Sequence, residues 1–220
     1  MFSTTKAILG AAAACVCAAV AVPAAQTKID LAQRLDEGTL RAVNREVTKL
    51  AERNGIHMNA REGDGVTWVE GTSFASGTIE VDIRGKDVQG MSFVGVAFHR
   101  QDDKTYEVVY LRPFNFRAQE PVRRDHAVQY MVSPEWEWPR LRKEFPEEFE
   151  NPVDPSLVPT DWVRLRLVVD GQRVRIYAGP VSTPTLEVRR LGKLDGGMVG
   201  LWTGNNSEGD FANLTITPAK

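Results

Sequence analysis

Between His99 and Trp138 the sequence brings together flat rings, amides and guanidinium groups. Arg112 and Arg117 can fork onto hydroxyls or a carboxylate, and Asn115 and Gln129 can each donate and accept hydrogen bonds. Tyr110, Tyr130, Trp136 and Trp138 offer apolar faces of the kind that stack on a sugar ring. With His99 these residues form a candidate binding set. Asp125-His126, with Glu107 or Glu135 nearby, can supply a proton-transfer pair. Each residue also has an ordinary reading. Trp136 and Trp138 can pin a loop, Arg112 can pair with Glu107 or another acid, and a loop histidine is commonly plain surface.

Other chemistries find less support. No serine sits in a nucleophile-elbow context. The three histidines, His57, His99 and His126, lack the short spacing of a catalytic zinc site. A structural calcium ion could use Asp64 and Asp210 with backbone carbonyls, because calcium takes hard oxygen ligands. Asp64 lies between Gly63 and Gly65, which equally suits a simple turn. No other cofactor is implied. The net charge of −2 draws neither nucleic acid nor anionic lipid.

The N-terminus suggests export. Lys6 is followed by an uncharged run of small and apolar residues from Ala7 to Val22, and Val22-Pro23-Ala24-Ala25 offers cleavage positions. Residues 1–25 thus read as a signal peptide and 26–220 as one domain, periplasmic or secreted. An uncleaved anchor is the alternative, although the run is short of the roughly 20 apolar residues a spanning helix needs. Ala14-Cys15 raises lipidation, but the residues before Cys15 are alanines rather than a leucine-led box. Cleavage would remove both cysteines, Cys15 and Cys17, leaving no disulfide, thiolate ligand or cysteine nucleophile. It would also leave 26 basic against 29 acidic side chains, a net charge of −3. The mean hydropathy of −0.28 and the absence of a second long apolar run predict a soluble product without a further membrane span.

The elements that must position these groups follow a period of two from Val66 onward. Gly77 to Ile83, Trp162 to Leu167 and Val174 to Tyr177 alternate apolar and polar residues. Phe93 to Phe98 and Glu107 to Leu111 are more apolar, as for strands covered on both faces. Met198 to Trp202 and Phe211 to Ile216 add two more. Such strands, separated by turn signals, read as a sandwich or barrel. A two-residue turn at Asp102-Asp103 sets Val96 opposite Val109 and Val94 opposite Leu111. It leaves Gly95, Ala97, His99, Tyr106, Tyr110 and Arg112 on the other face. A turn at Asp170-Gly171 sets Leu167 opposite Val174 and Leu165 opposite Ile176, with Arg164, Arg166, Arg175 and Tyr177 outward. Leu40, Val43, Val47 and Leu50 are spaced as on one helical face, yet Arg53-Asn54-Gly55 is a turn signal with Ile56-His57-Met58 behind it. Propensity leans to helix there. Residues 113–160, rich in proline, read as a long loop insertion with a helical turn within Trp138 to Phe149.

Several segments resemble a concanavalin-A-like lectin/glucanase domain. They are Gly77 to Ile83, Ser92 to Phe98, Tyr110 to Arg117, Ala127 to Tyr130, Pro134 to Trp138, Val199 to Gly204 and Gly209 to Leu214. Together they are similar to an exported bacterial group related to the 3-keto-disaccharide hydrolases, over roughly residues 40 to 217. The resemblance implies an all-β, two-sheet antiparallel jelly-roll sandwich with a long loop insertion, and favours strands over helix near residues 47 to 60. It implies a glycoside-processing hydrolase as the alternative to the carbohydrate-binding domain that the aromatic and amide residues suggest, and a protein-interaction domain of the cell envelope is a third reading. Glucanases on this fold carry two glutamates flanking an aspartate on one strand. Glu80-Val81-Asp82 begins similarly but lacks the second glutamate, and reads as solvent-side strand. Arg112, Asn115, Arg117, Gln129 and Tyr130 are expected to converge on one cavity at the face carrying His99, Tyr106 and Tyr110.

Overall fold

The computed structural model describes Met1 and residues 25–219. The leader segment with Lys6, Cys15, Cys17 and Val22-Pro23-Ala24 lies outside the described residues. In chain order the strands are β1 (Thr27–Ile29), β2 (Leu40–Val43), β3 (Val47–Lys49), β4 (Ile56–Met58), β5 (Gly65–Val69), β6 (Gly77–Arg84), β7 (Val94–Arg100), β8 (Tyr106–Leu111), β9 (Val128–Ser133), β10 (Glu150–Asn151), β11 (Val163–Asp170), β12 (Arg173–Ala178), β13 (Leu186–Arg189), β14 (Met198–Thr203) and β15 (Gly209–Pro218). Short helices α1 (Leu31–Asp36), α2 (Pro121–Arg124) and α3 (Trp138–Glu144) sit in the connections. No helix among the described residues is long and apolar enough to cross a membrane.

The strands make two antiparallel sheets packed as a sandwich. The first runs β13-β12-β11-β6-β15-β4-β3, with β1 also paired to β15, and the second runs β10-β9-β8-β7-β14-β5-β2. A methyl placed on Gly85 or Gly209, at the first sheet, would meet the Val94 side chain. The Val94, Val96 and Phe98 face of β7 is therefore the inner one, and strand alternation turns Gly95 and Ala97 away from the first sheet. Fully buried Val96, Val109 and Leu201 meet Ile79, Val81, Leu165 and Ile176 in the core between the sheets.

The β7–β8 register places Val94 opposite Leu111 and Val96 opposite Val109, as the apolar pairing requires. Past the Phe98–Glu107 pair the ladder bulges. His99 adopts a left-handed φ of 56°, and the Gln101 amide bonds to the Thr105 carbonyl at 2.9 Å. The turn is thus longer than Asp102-Asp103, with Asp102 Oδ1 accepting from the Lys104 and Thr105 amides. The extra residue rotates His99 out of the face expected for it. In the β11–β12 hairpin the turn is Gly171-Gln172, so Asp170 pairs with Arg173, Leu167 with Ile176 and Leu165 with Ala178. Gly171 takes the left-handed φ of 53° that a tight turn needs there. This two-residue shift from the expected register leaves every side chain on its expected face.

The helix expected over Leu40 to Leu50 is instead two strands, β2 in the second sheet and β3 in the first. Asn44, with φ 54°, breaks the segment between them, and pairing of β2 with β5 and β3 with β4 overrides local propensity. Residues 113–160 carry the short helices and loops of an insertion, and they also supply β9, which pairs with β8 over six residues.

Candidate functional site

The outward face of the second sheet presents one lateral row across six strands. Val66, Trp202, Gly95, Tyr110, Gln129 and Glu150 stand side by side on β5, β14, β7, β8, β9 and β10. Gly95 shapes the row. A Cβ there would lie 2.1 Å from the Val109 carbonyl oxygen and 2.6 Å from Tyr110 Cβ. With only hydrogen at Gly95, the Tyr110 and Trp202 rings lean together, their centroids 5.0 Å apart.

One end of the row is a buried polar brace. The Tyr110 hydroxyl donates to Gln129 Oε1 at 2.8 Å, and Arg112 Nη2 donates to the Tyr110 oxygen at 2.6 Å and also to Gln129 Oε1. Arg112 Nη1 reaches the His126 carbonyl at 2.9 Å and lies 3.6 Å from Glu150. Arg142 grips both Glu150 oxygens at 2.8 Å, while His126 Nδ1 stands 2.9 Å from Glu150. Asn115 joins by donating to the His126 carbonyl at 3.2 Å. Burial pushes the Tyr110 phenol up to about 12 and lowers the Arg112 guanidinium and the His126 imidazole below their ordinary values. Arg112, Gln129, Asn115 and Tyr110 therefore converge as the sequence suggests, but they largely satisfy one another and hold the floor in place.

Beside this brace lies a hollow of about 150 Å³. Phe93, Tyr110, Trp138 and Trp202 supply rings to its walls, with Met131 between them and Gly204-Asn205 at the edge. Trp138, at the start of α3, keeps 46% of its surface exposed and has Arg142 over its ring at 4.9 Å. Two carboxylates line the same space, Asp64 ahead of β5 and Glu137 at the N-cap of α3. Asp64 is exposed at the rim, and its carboxyl is pushed up to about 6, first by desolvation on its wall-facing side and then by the charge of Glu137. Arg45 and the Asn205 amide oppose the rise without cancelling it.

A larger cleft of about 520 Å³ lies on the first sheet, lined by Lys28, Asp30, Arg53, Asp82, Arg164 and Asn213 among others. It offers no ring for stacking, and Asp82 already pairs with Arg53, Arg164 and Asn213. Glu80 likewise faces Arg164, at 3.5 Å. The Glu80–Asp82 pair is thus an outward ladder of charges, as its strand period indicates.

Other expected site residues are placed elsewhere. Tyr130 is on the opposite face of β9 from Gln129, because adjacent strand residues point to opposite sides. It donates to Glu107 at 2.6 Å inside the sandwich. The bulged His99 joins it there, with Nδ1 2.9 Å from Glu107 and Nε2 2.9 Å from the Ala75 carbonyl. Arg190 closes the group on Glu107. Burial alone would raise the Glu107 carboxyl, but hydrogen bonds from His99, Arg190 and Tyr130 outweigh it and hold it below its ordinary value. Fully buried and clamped, Glu107 is not placed to meet a ligand. Arg117 holds the Pro155 and Ser156 carbonyls. Trp136 packs on Phe145 under Arg140 and does not line the hollow. Asp125 and Glu135 are exposed and outside it. His57 and Arg84 take both oxygens of Asp210, on a different concavity from Asp64, so these two aspartates do not make a calcium site together. Among the described residues no group of three or more His, Cys, Asp or Glu side chains is arranged to hold a metal.

No family model and no curated protein matches this chain. Among solved structures, it is similar to the carbohydrate binding module CBM66 from Bacillus subtilis, with a TM-score of 0.57 at 17% identity, covering 81% of this chain and 96% of the module. The chain has a lectin-like β-sandwich fold. A Bacillus subtilis protein of unknown function described as having a galectin-like fold superposes with a TM-score of 0.59 at 14% identity, over 89% and 97% of the two chains. The exoplasmic/lumenal domain of VIP36, in a form bound to Ca2+ and Man3GlcNAc, gives 0.57 at 9% identity over 83% and 86%. At these identities the likeness concerns the lectin-like fold.

Within that fold the sequence missed Phe93, Met131, Glu137 and Trp202 as wall residues of the hollow, and Glu150 as the acid of the brace. Trp202 carried a readable signal: it ends the apolar strand from Met198, in the same alternation that made Tyr110 visible. Glu137 carried none, because its position depends on how the segment after β9 folds back through the Val132–Trp136 bridge.

Proposed function

We propose that this chain is an exported carbohydrate-binding domain whose ligand seat is the aromatic hollow on the outward face of the second sheet. The observation that carries the reading is the set of rings, Phe93, Tyr110, Trp138 and Trp202, gathered around a space on the scale of one sugar ring. Apolar sugar faces stack on such rings while amide and carboxylate groups at the edge meet the hydroxyls. CBM66, by its description a carbohydrate binding module, and VIP36, seen with Man3GlcNAc, support this use of the fold. Export rests on the leader with Lys6 and the apolar run from Ala7 to Val22. A mature product beginning near residue 26 in the cell exterior or periplasm would support it. The binding test is a panel of polysaccharides and oligosaccharides with wild type and Trp138→Ala. Saturable binding lost in the variant supports the reading, and failure of every glycan to bind defeats it.

A second reading follows from one observation, the raised Asp64 carboxyl beside Glu137. A carboxyl that holds its proton more tightly than usual can serve as the acid on a glycosidic bond when a second carboxylate stands beside it. This accords with the resemblance to the 3-keto-disaccharide hydrolases, with the acids at Asp64 and Glu137 rather than at Glu107, Asp125, His126 or Glu135. Turnover of ordinary and 3-oxidised disaccharides, abolished in Glu137→Gln, would favour it; a full time course without product would exclude it for those substrates.

A further inference from the structure

The short helix α3 carries one wall of the hollow, and little holds it to the sandwich. Trp138 opens the helix with 46% of its surface exposed, and Leu141 is the one residue of α3 that is buried. Among the described residues, the only ion pair that joins α3 to a sheet runs from Arg142 to Glu150 on β10. It is a two-point contact, Nε to Oε1 and Nη2 to Oε2, both at 2.8 Å. Such a pair fixes direction as well as distance. The same guanidinium lies over the Trp138 ring at 4.9 Å. Arg142 therefore covers the ring and ties its helix down, and Glu150 is what it grips.

Glu150 has a further neighbour that is uncommitted. His126 Nδ1 stands 2.9 Å from Glu150 Oε1, out of contact with water and aligned for no hydrogen bond. The oxygen it faces is the one that already accepts from Arg142 Nε. The charged groups around the imidazole are Glu150 on β10, Arg142 on α3, Arg112 just after β8 and Asp125 at the end of α2. Burial first, and the two guanidinium groups against the pull of Glu150, hold the imidazole below its ordinary 6.5. Once charged, Nδ1 is a donor at hydrogen-bond distance from Oε1, and an imidazolium joins both guanidinium groups around one carboxylate. The cation that can give way is Arg142, because 31% of its side chain already meets water. Arg112 cannot, being 5% exposed and tied to Tyr110, Gln129 and the His126 carbonyl.

We propose that His126, Glu150 and Arg142 form an acid-sensitive latch on the hollow, in which protonation of His126 displaces Arg142 from Glu150 and frees the Trp138 wall. The sign follows from the folded imidazole lying below its ordinary value. Neutral His126 favours the closed arrangement above pH 6.5, and that contribution is lost as the pH falls through the folded value. The use of the latch, release of a bound glycan in acid, rests on the carbohydrate-binding reading above. The latch itself belongs to the unliganded chain.

The test follows the Trp138 indole N–H resonance and the hydrogen exchange of the α3 amides in the unliganded chain, from about pH 7.5 to about pH 4.5. Asp64 lines the same hollow and titrates near 6, so the titration is run in Asp64→Asn, which removes that contribution. Below pH 6.5 the Trp138 signal should move toward that of an exposed tryptophan, and α3 exchange, corrected for the intrinsic effect of pH, should speed up about tenfold. Adding His126→Gln should leave both readouts flat. That substitution keeps the backbone carbonyl at 126, so the bonds to it from Arg112 and Asn115 remain. Arg142→Gln, at a side chain partly in water, should show the released signal already at neutral pH. A Trp138 signal that stays fixed in acid, or moves equally without the histidine, overturns the latch. So does an Arg142→Gln spectrum that matches the closed form. Each of these results leaves the carbohydrate-binding reading to its glycan panel, and failure of that panel removes the use of the latch but not the latch.

Discussion

Two acidic regions on opposite faces of the same sheet follow different logics. Inside the sandwich, Glu107 is completely buried and surrounded by His99, Tyr130 and Arg190. Outside, Asp64 and Glu137 share an aromatic hollow with no cation lining it. A buried acid that is fully partnered has its desolvation offset within the chain, and removing it alone strands the groups around it. Among the described residues the Asp64 carboxyl has no ion-pair partner, and desolvation followed by the charge of Glu137 raises its proton affinity. The difference separates the scaffold from the candidate seat more sharply than residue type does, since tyrosine and carboxylate occur in both.

The largest effect should come from the inner region. Glu107→Ala leaves Arg190 and His99 without their acid in a dry interior, and should cost roughly 3–5 kcal/mol of unfolding free energy. Denaturant melts measure this; a loss below about 1 kcal/mol, the range of an exposed pair, would show that the group is solvated after all. At the shared floor, Gly95→Ala forces a methyl against the Val109 carbonyl and Tyr110. It should destabilise by about 1–3 kcal/mol and splay the Tyr110–Trp202 pair, visible in the near-ultraviolet circular dichroism. An unchanged spectrum and melt would contradict the close approach.

The outer region should respond in binding rather than folding. Trp138→Ala should change stability by no more than about 0.5 kcal/mol, since the side chain is half open to water, while glycan affinity falls about tenfold. A large melt shift with unchanged binding would make Trp138 a loop anchor. The smallest expected effect is the pH response of Asp64. Its carboxyl near 6 in the folded chain lies above the 3.8 of an unperturbed aspartate. The folded state therefore holds this proton more tightly, so its contribution favours folding at pH 4 and is lost as pH rises through 6. Wild type should lose slightly more stability than Asp64→Asn between pH 4 and 6.5, and parallel curves for the two would refute the raised value.

The sequence makes the scaffold legible where alternation and apolar pairing act together. Val94, Val96, Val109 and Leu111 specify the β7–β8 register by themselves, because a one-residue slip would put each on the wrong side. Tyr110 and Arg112 share a face in that register, and Gln129, expected opposite them from the loop that follows, proves to touch both. His99 and Tyr130 could not be placed in this way. A single bulge at a left-handed histidine turned one inward, and reading β9 as loop hid the alternation that turns the other. The hollow was harder still, because Asp64, Glu137 and Trp202 are far apart in sequence and meet only through the order of strands in the sheet. Charge imbalance of that kind is invisible to composition, which shows a nearly neutral chain.

The claim that the aromatic hollow is the glycan seat is tested most directly by following the tryptophan indole N–H resonances while the chain is titrated with the oligosaccharide that binds best. The signals of Trp138 and Trp202 should move together and saturate, while that of Trp162, stacked between Arg53 and Arg84 on the other sheet, stays fixed. Movement of Trp162 with Trp138 and Trp202 unmoved would place the ligand on the first sheet and contradict the account.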